Sequence, residues 1–141
     1  MTQEEKDLLL KDLSGRLPYG VKCYKITFKP ELAEEVICML RNGSHNCVQL
    51  GTFLYRLEHI KPYLFPLSSL TEEQREEFLN IQTEERQILL NALIEYKSGK
   101  YDKIPIIAPY KQIEWLNKNH FDYRGLIERG LAIDCTNLNI Y

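Results

Sequence analysis

The stretch that decides the fold runs from Val21 to Gly51, VKCYKITFKPELAEEVICMLRNGSHNCVQLG. Its opening residues alternate, with Tyr24, Ile26 and Phe28 on one face and Lys25, Thr27 and Lys29 on the other, the period of a half-buried strand. A turn at Lys29-Pro30-Glu31 leads into VICML, a continuous β-branched and apolar run suited to a more central strand. Asn42-Gly43 follows, a strong hairpin signal, and returns the chain into CVQL before the bend at Gly51. An antiparallel meander of three strands results, or four if FLYRL beyond Gly51 is also extended.

Outward toward the N-terminus, Thr2 and Glu5 have the spacing of a capping box, and Leu9, Leu10 and Leu13 recur at helical intervals. This predicts a helix over 3–14, closed by Gly15. Toward the C-terminus, Pro62 and Pro66 bracket YLFPLSS, which reads as an irregular link too apolar to hang free. Leu70-Thr71-Glu72-Glu73-Gln74 combines a second capping box with acidic residues suited to a helix start. Phe78, Ile81, Ile88, Ala92 and Tyr96 then share a stripe interrupted by Glu85. Two outcomes are open: one unbroken helix of about 25 residues and roughly 38 Å, part of which protrudes or meets a partner, or two helices parted near Thr83.

Ser98-Gly99 ends that segment, and Tyr101 to Pro109 is a proline-bounded link containing IPII. Ile113, Trp115, Leu116 and Phe121 mark a helix over roughly 111–119. Asp122 is an N-cap for a further short helix, YRGLIER, closed by Gly130, and LAIDC reads as a final strand. The order helix, strands, helices, strand gives an α+β fold rather than alternating α/β, and 141 residues suit a single domain spanning 1–141.

Composition narrows the function classes. Hydrophobic residues make up 44% and charged residues 27% of the chain, ordinary globular values that argue against disorder. The formal net charge is -2, which disfavours a duplex-coating protein, since phosphate binding draws on clustered Lys and Arg. The charge is unevenly distributed: residues 21–67 hold six basic and four acidic residues (+2), and residues 68–98 three and seven (-4). The start, MTQEEKDLLLKDL, is acidic and amphipathic rather than a secretory leader, and no apolar run approaches the roughly 20 residues that span a bilayer. A cytoplasmic location is the expectation, with Cys23, Cys38, Cys47 and Cys135 as free thiols.

The polar residues offer several candidate sites, each with a structural explanation beside it. The glycines are isolated, so no phosphate-cradling loop forms and no cofactor is expected. Cys38, His45 and Cys47 flank one hairpin and could converge on a metal, although a strand cysteine usually serves as a small hydrophobe. Cys135 with His120 and either Asp122 or Asp134 could form a thiol site; the structural alternative puts His120 at a helix end, Asp122 at a cap and Cys135 in a strand. The acidic pairs from Glu4-Glu5 to Glu84-Glu85 fit solvated helix faces better than acid–base chemistry. Lys22, Lys25, Lys29 and Arg41 on an outward sheet face could contact nucleic acid weakly, with Tyr19 or Tyr55 to stack on bases. The densest run is WLNKNHFDYRGLIERGLAID. There Trp115, Phe121, Tyr123 and Arg124 are either anchors of a protein-binding surface or a packed corner in which Tyr123 and Arg124 are the more exposed.

In that segment, and in KDLSGRLPYGVKC and IKPYLFPLSSLTEEQ, the chain resembles a family of short uncharacterised proteins common in gut Bacteroidales genomes and in their phages and mobile elements. The resemblance covers about half of the chain, leaves the stretch from Glu84 to Asp102 unaligned, and implies a small intracellular accessory protein. It brings no catalytic residues or cofactor with it. With no chemistry assembled in sequence, the expected function is that of a non-enzymatic accessory or adaptor protein that binds another protein or itself. Weak nucleic-acid binding is the first alternative, and a thiol enzyme centred on Cys135 and His120 the second.

Overall fold

A computed structural model describes residues 1–26, 33–100 and 110–141, apart from the side chain of Tyr96. The chain divides into two compact units, one formed by 1–69 with 117–141 and the other by 70–116. The fold is α+β, with an N-terminal helix, an antiparallel meander, later helices and a short C-terminal strand. Among the described residues no helix is long and apolar enough to cross a membrane.

The first unit opens with α1 (Gln3–Arg16). Thr2 and Glu5 form the capping box: the Glu5 amide donates to the Thr2 hydroxyl at 3.2 Å and the Thr2 amide to the Glu5 carboxylate at 2.7 Å. The helix does not end at Gly15. The side-chain nitrogen of Asn117 lies 3.0 Å from where a Cβ would stand on Gly15, so glycine serves close approach there. The left-handed residue comes instead at Gly20 (φ 69), after a 3-10 turn over Leu17–Tyr19. Strands β1 (Lys22–Lys25), β2 (Glu34–Asn42), β3 (His45–Leu50) and β4 (Phe53–Arg56) form the antiparallel meander, with β4 at the sheet's end. The part of the predicted first strand beyond Ile26, Lys29 included, lies outside the described residues.

The segment predicted as an irregular link is instead strand β5 (Ile60–Pro66), antiparallel to β1 with Pro62 opposite Cys23. Prolines weaken a strand reading because they donate nothing to a ladder. Here Phe65 supplies the needed N–H, to the His120 carbonyl at 2.9 Å, and Pro66 ends the strand. Two short strands, β6 (Phe121–Asp122) and β7 (Ile133–Asp134), run parallel to β5. The helix expected over YRGLIER does not form: Gly125 takes φ 71, which interrupts a right-handed helix. Asp122 still caps the turn, accepting the amides of Leu126 at 3.0 Å and Ile127 at 2.8 Å.

Leu9 and Leu13 of α1 pack on Val21, Val48, Leu50, Ile60 and Leu64 of the sheet and on Leu126 of the C-terminal segment. The same helix face carries Asp12 and Arg16, and both are 0% exposed. Arg16 donates to the two Asp12 oxygens at 2.7 and 3.0 Å and to the Phe121 carbonyl at 2.7 Å.

In the second unit α2 (Glu72–Lys97) is one unbroken helix of 26 residues. The Thr71 hydroxyl and the Gln74 side chain form its capping box. Thr83, the suspected breakpoint, stays helical by donating its hydroxyl to the Leu79 carbonyl at 2.9 Å. Helix α3 (Tyr110–Lys118) packs on α2 through Trp115 against Phe78, with ring centroids 5.4 Å apart. Glu85, which breaks the apolar stripe, is buried and accepts from the Lys111 amide and the Gln112 side chain, both at 2.6 Å. It serves as an acidic cap on the first turn of α3. The IPII link lies outside the described residues.

Breaking a buried ion pair strands a charge in the interior, which costs about 3–5 kcal/mol. Arg16→Met and Asp12→Ala are each expected to destabilise the protein by that amount in urea unfolding. Asp12→Ala/Arg16→Met should lose less than the sum of its single changes, and additive losses would contradict the pair's role.

Candidate functional site

The dense C-terminal run is largely committed to internal packing. Trp115 is buried in the second unit. In the first unit Phe121 is buried against Phe65, with centroids 6.0 Å apart. Tyr123 and Arg124 are half-buried. The Tyr123 ring lies 5.5 Å from the Arg16 guanidinium and 4.7 Å from that of Arg124. Its hydroxyl donates to Asn117 at 3.1 Å and accepts from Arg124 at 2.9 Å. Arg124 Nε also lies 3.4 Å from the Asp12 carboxylate. Trp115 and Phe121 are thus taken up by internal packing, while Tyr123 and Arg124 make internal contacts and stay partly exposed.

The thiol candidates are placed against activation. Cys135 is buried in the core, and burial, followed by the Asp134 charge, pushes its thiol up to about 11. A nucleophilic cysteine requires the opposite shift. His120 is also buried, and its ring stacks flat on Tyr141 with centroids 3.8 Å apart and planes 10° apart. Its backbone takes φ 59, and among the described residues its Nδ1 has no hydrogen-bond partner. Burial, then the nearby Arg16 and Lys22 charges, pull it down to about 4, so it is neutral at pH 7. Among the described residues no hydrogen bond joins His120 to Cys135. Asp122 is spent on the Leu126 and Ile127 amides, and Asp134 accepts from the Thr136 amide at 2.9 Å. The clasp around His120 is completed by Tyr141, whose hydroxyl accepts from the Lys22 amide and donates to the Tyr63 carbonyl, both at 3.0 Å.

The β2–β3 hairpin does not gather its metal-ligand candidates. Cys38 stands opposite Gln49 and bonds its side chain at 3.2 Å, Cys47 stands opposite Leu40, and His45 lies at the turn opposite Asn42. Among the described residues no group of His, Cys, Asp or Glu is arranged to hold a metal ion. A shallow cleft of about 70 Å³, lined by Gln3, Lys6, His45 and Glu58, is well below the roughly 300–1,000 Å³ of ligand pockets.

The candidate nucleic-acid face is partly consumed as well. Lys22 donates to the Ile140 carbonyl at 2.7 Å and lies 5.6 Å from the Tyr141 ring centroid. Lys25 pairs with Glu34 and lies 5.5 Å from the Tyr55 ring centroid. Arg41 remains exposed, and Lys29 falls outside the described residues.

The feature not read from the sequence is the outer face of the meander. Register and alternation put Cys38, Leu40, Cys47, Gln49 and Leu54 on one face, opposite the core-facing Met39, Val48 and Tyr55. Leu40 is 46% and Leu54 47% exposed; Ile37 and Phe53 are exposed as well, Phe53 standing opposite Leu50 on the other face of β4. VICML, predicted as a buried run, thus turns Leu40 toward solvent, and a bulge between Val36 and Cys38 leaves Ile37 exposed. No protein-family model, curated protein or solved structure matches the chain.

Two measurements check this description. In native thiol titration Cys38 should react first while Cys23 and Cys135 stay slow until the protein is unfolded; rapid native labelling of Cys135 would restore the thiol-enzyme reading. A neutral buried histidine stabilises fully above its unfolded value near 6.5, and that contribution falls away as pH drops through 6.5 toward about 4. His120→Asn, which tolerates the left-handed backbone, should flatten this part of the stability–pH curve. An unchanged slope would contradict it.

Proposed function

We propose that this protein is a non-enzymatic intracellular accessory protein that acts by binding another protein through the outer face of β2, β3 and β4. The observation that carries the reading is the exposure of Leu40 and Leu54, which the register places on one face of the sheet. Single exposed apolar residues are ordinary, whereas two leucines exposed on the same face of neighbouring strands suit an interaction surface. Strand β4 also ends the sheet, so a partner segment can pair with its main chain while covering the apolar face. The placement of Cys135 and His120 gives no support to a thiol reaction, and two of the four basic candidates are engaged within the chain. The resemblance to short proteins of bacterial and mobile-element origin fits an accessory role of this kind.

The test compares wild type with Leu40→Lys/Leu54→Lys. Both positions are exposed, so the variant should keep its unfolding midpoint, as surface changes usually cost under about 0.5 kcal/mol. Cross-linking and pull-down from the encoding cell should recover a partner with wild type, and the double variant should bind it about 30-fold more weakly. A wild type that retains nothing, or equal retention by the variant, contradicts the proposal.

A further inference from the structure

The second unit carries an apolar surface with a different chemistry from that of the sheet. On α2, Leu79 and Leu90 are eleven residues apart, three helical turns, and so share one azimuth. Ile94 lies one turn beyond Leu90. All three are exposed, Leu79 at 58% and Ile94 at 65%. The side of α2 that meets α3 is a different one, defined by Phe78, Gln82 and Glu85, about a third of a turn away around the axis. Glu72, Glu76, Thr83, Arg86 and Lys97 continue the exposed seam along the helix.

The charges on α2 are polarised along its length. Residues 72–85 carry six acidic and one basic residue (-5), and residues 86–97 one acidic and two basic (+1). Turning Glu85 onto α3 leaves the first half strongly acidic. The acidic half holds Leu79, and the other half holds Leu90 and Ile94. A partner that covers this seam must therefore present apolar groups, with basic charge at one end and acidic charge at the other. Reversed end to end, α2 itself has that pattern.

We infer that two copies of this chain associate through α2, with the two helices antiparallel. A two-fold axis near Arg86 and Gln87 sets Leu79 of one copy against Ile94 of the other, Thr83 against Leu90 and Glu76 against Lys97. Antiparallel pairing also opposes the helix dipoles, whereas parallel pairing would stack one acidic half on the other. The contact is isologous, so each of these pairs occurs twice. The surface is separate from the β2–β4 face, and each can fail without the other.

Sedimentation velocity of the full chain across micromolar concentrations tests the inference. Wild type should be dimeric, and Ile94→Glu should be monomeric with an unchanged unfolding midpoint. Glu76→Lys and Lys97→Glu should each weaken self-association several-fold, because each places like charges together. Glu76→Lys/Lys97→Glu should restore it, and high salt should weaken wild type and the double swap alike. A parallel pair gives no such restoration. A monomeric wild type, a dimer indifferent to Ile94→Glu, or a double swap no better than its single changes would overturn the proposal. Leu40→Lys/Leu54→Lys should leave the dimer intact, which separates this result from the fate of the sheet-face reading.

Discussion

The pairing of Asp12 with Arg16, wholly shut off from water, is the constraint to which the rest of the first unit answers. Two charges withdrawn from solvent cost several kcal/mol each unless their hydrogen-bonding capacity is met. Asp12 meets part of it for Arg16, and the Phe121 carbonyl, 105 residues away along the chain, meets more. The C-terminal segment must therefore pass this point of α1. Once Phe121 is fixed there, Asp122 caps the next turn and Tyr123 lies near both the Arg16 and Arg124 guanidiniums. That turn delivers Leu126, Leu131 and Ala132 to the core and carries β7 to β5.

The same economy explains why the reactive-looking residues are quiet. Cys135 lies where burial opposes its thiolate, and His120 where burial and two cations oppose its imidazolium. Each is held in its neutral form by surroundings that serve packing. Among the described residues, apolar side chains are exposed on the outer sheet face and along α2.

Much of the scaffold was legible because local signals and tertiary packing agree. Both capping boxes and the Asn42-Gly43 hairpin are short-range patterns with a direct physical cause, whereas the apolar face read at Tyr24 and Ile26 is not the core side of β1: Cys23 is fully buried and Ile26 is 46% exposed. The misses occur where a long-range partner overrides the local pattern. Gly15 reads as a helix stop, but Asn117 occupies the space beside it. Prolines 62 and 66 read as a link, yet β1, β6 and β7 supply a ladder around them. The buried ion pair did leave a trace: Asp12 and Arg16 fall at i+3 and i+7 from Leu9, on the apolar face of α1, where unpartnered charges are too costly to stand. The outer sheet face left less, because an exposed leucine in a strand cannot be told from a buried one without the register.

Native-state hydrogen exchange tests the account most directly, since it resolves which segments open together. If Arg16 holds the C-terminal segment to α1, the protected amides of α1 and those of Leu126, Ile127 and Cys135 should open with one common free energy, equal to that of global unfolding. Exchange of the Leu126, Ile127 and Cys135 amides at a much lower free energy, with α1 and the β1–β5 ladder still protected, would contradict it.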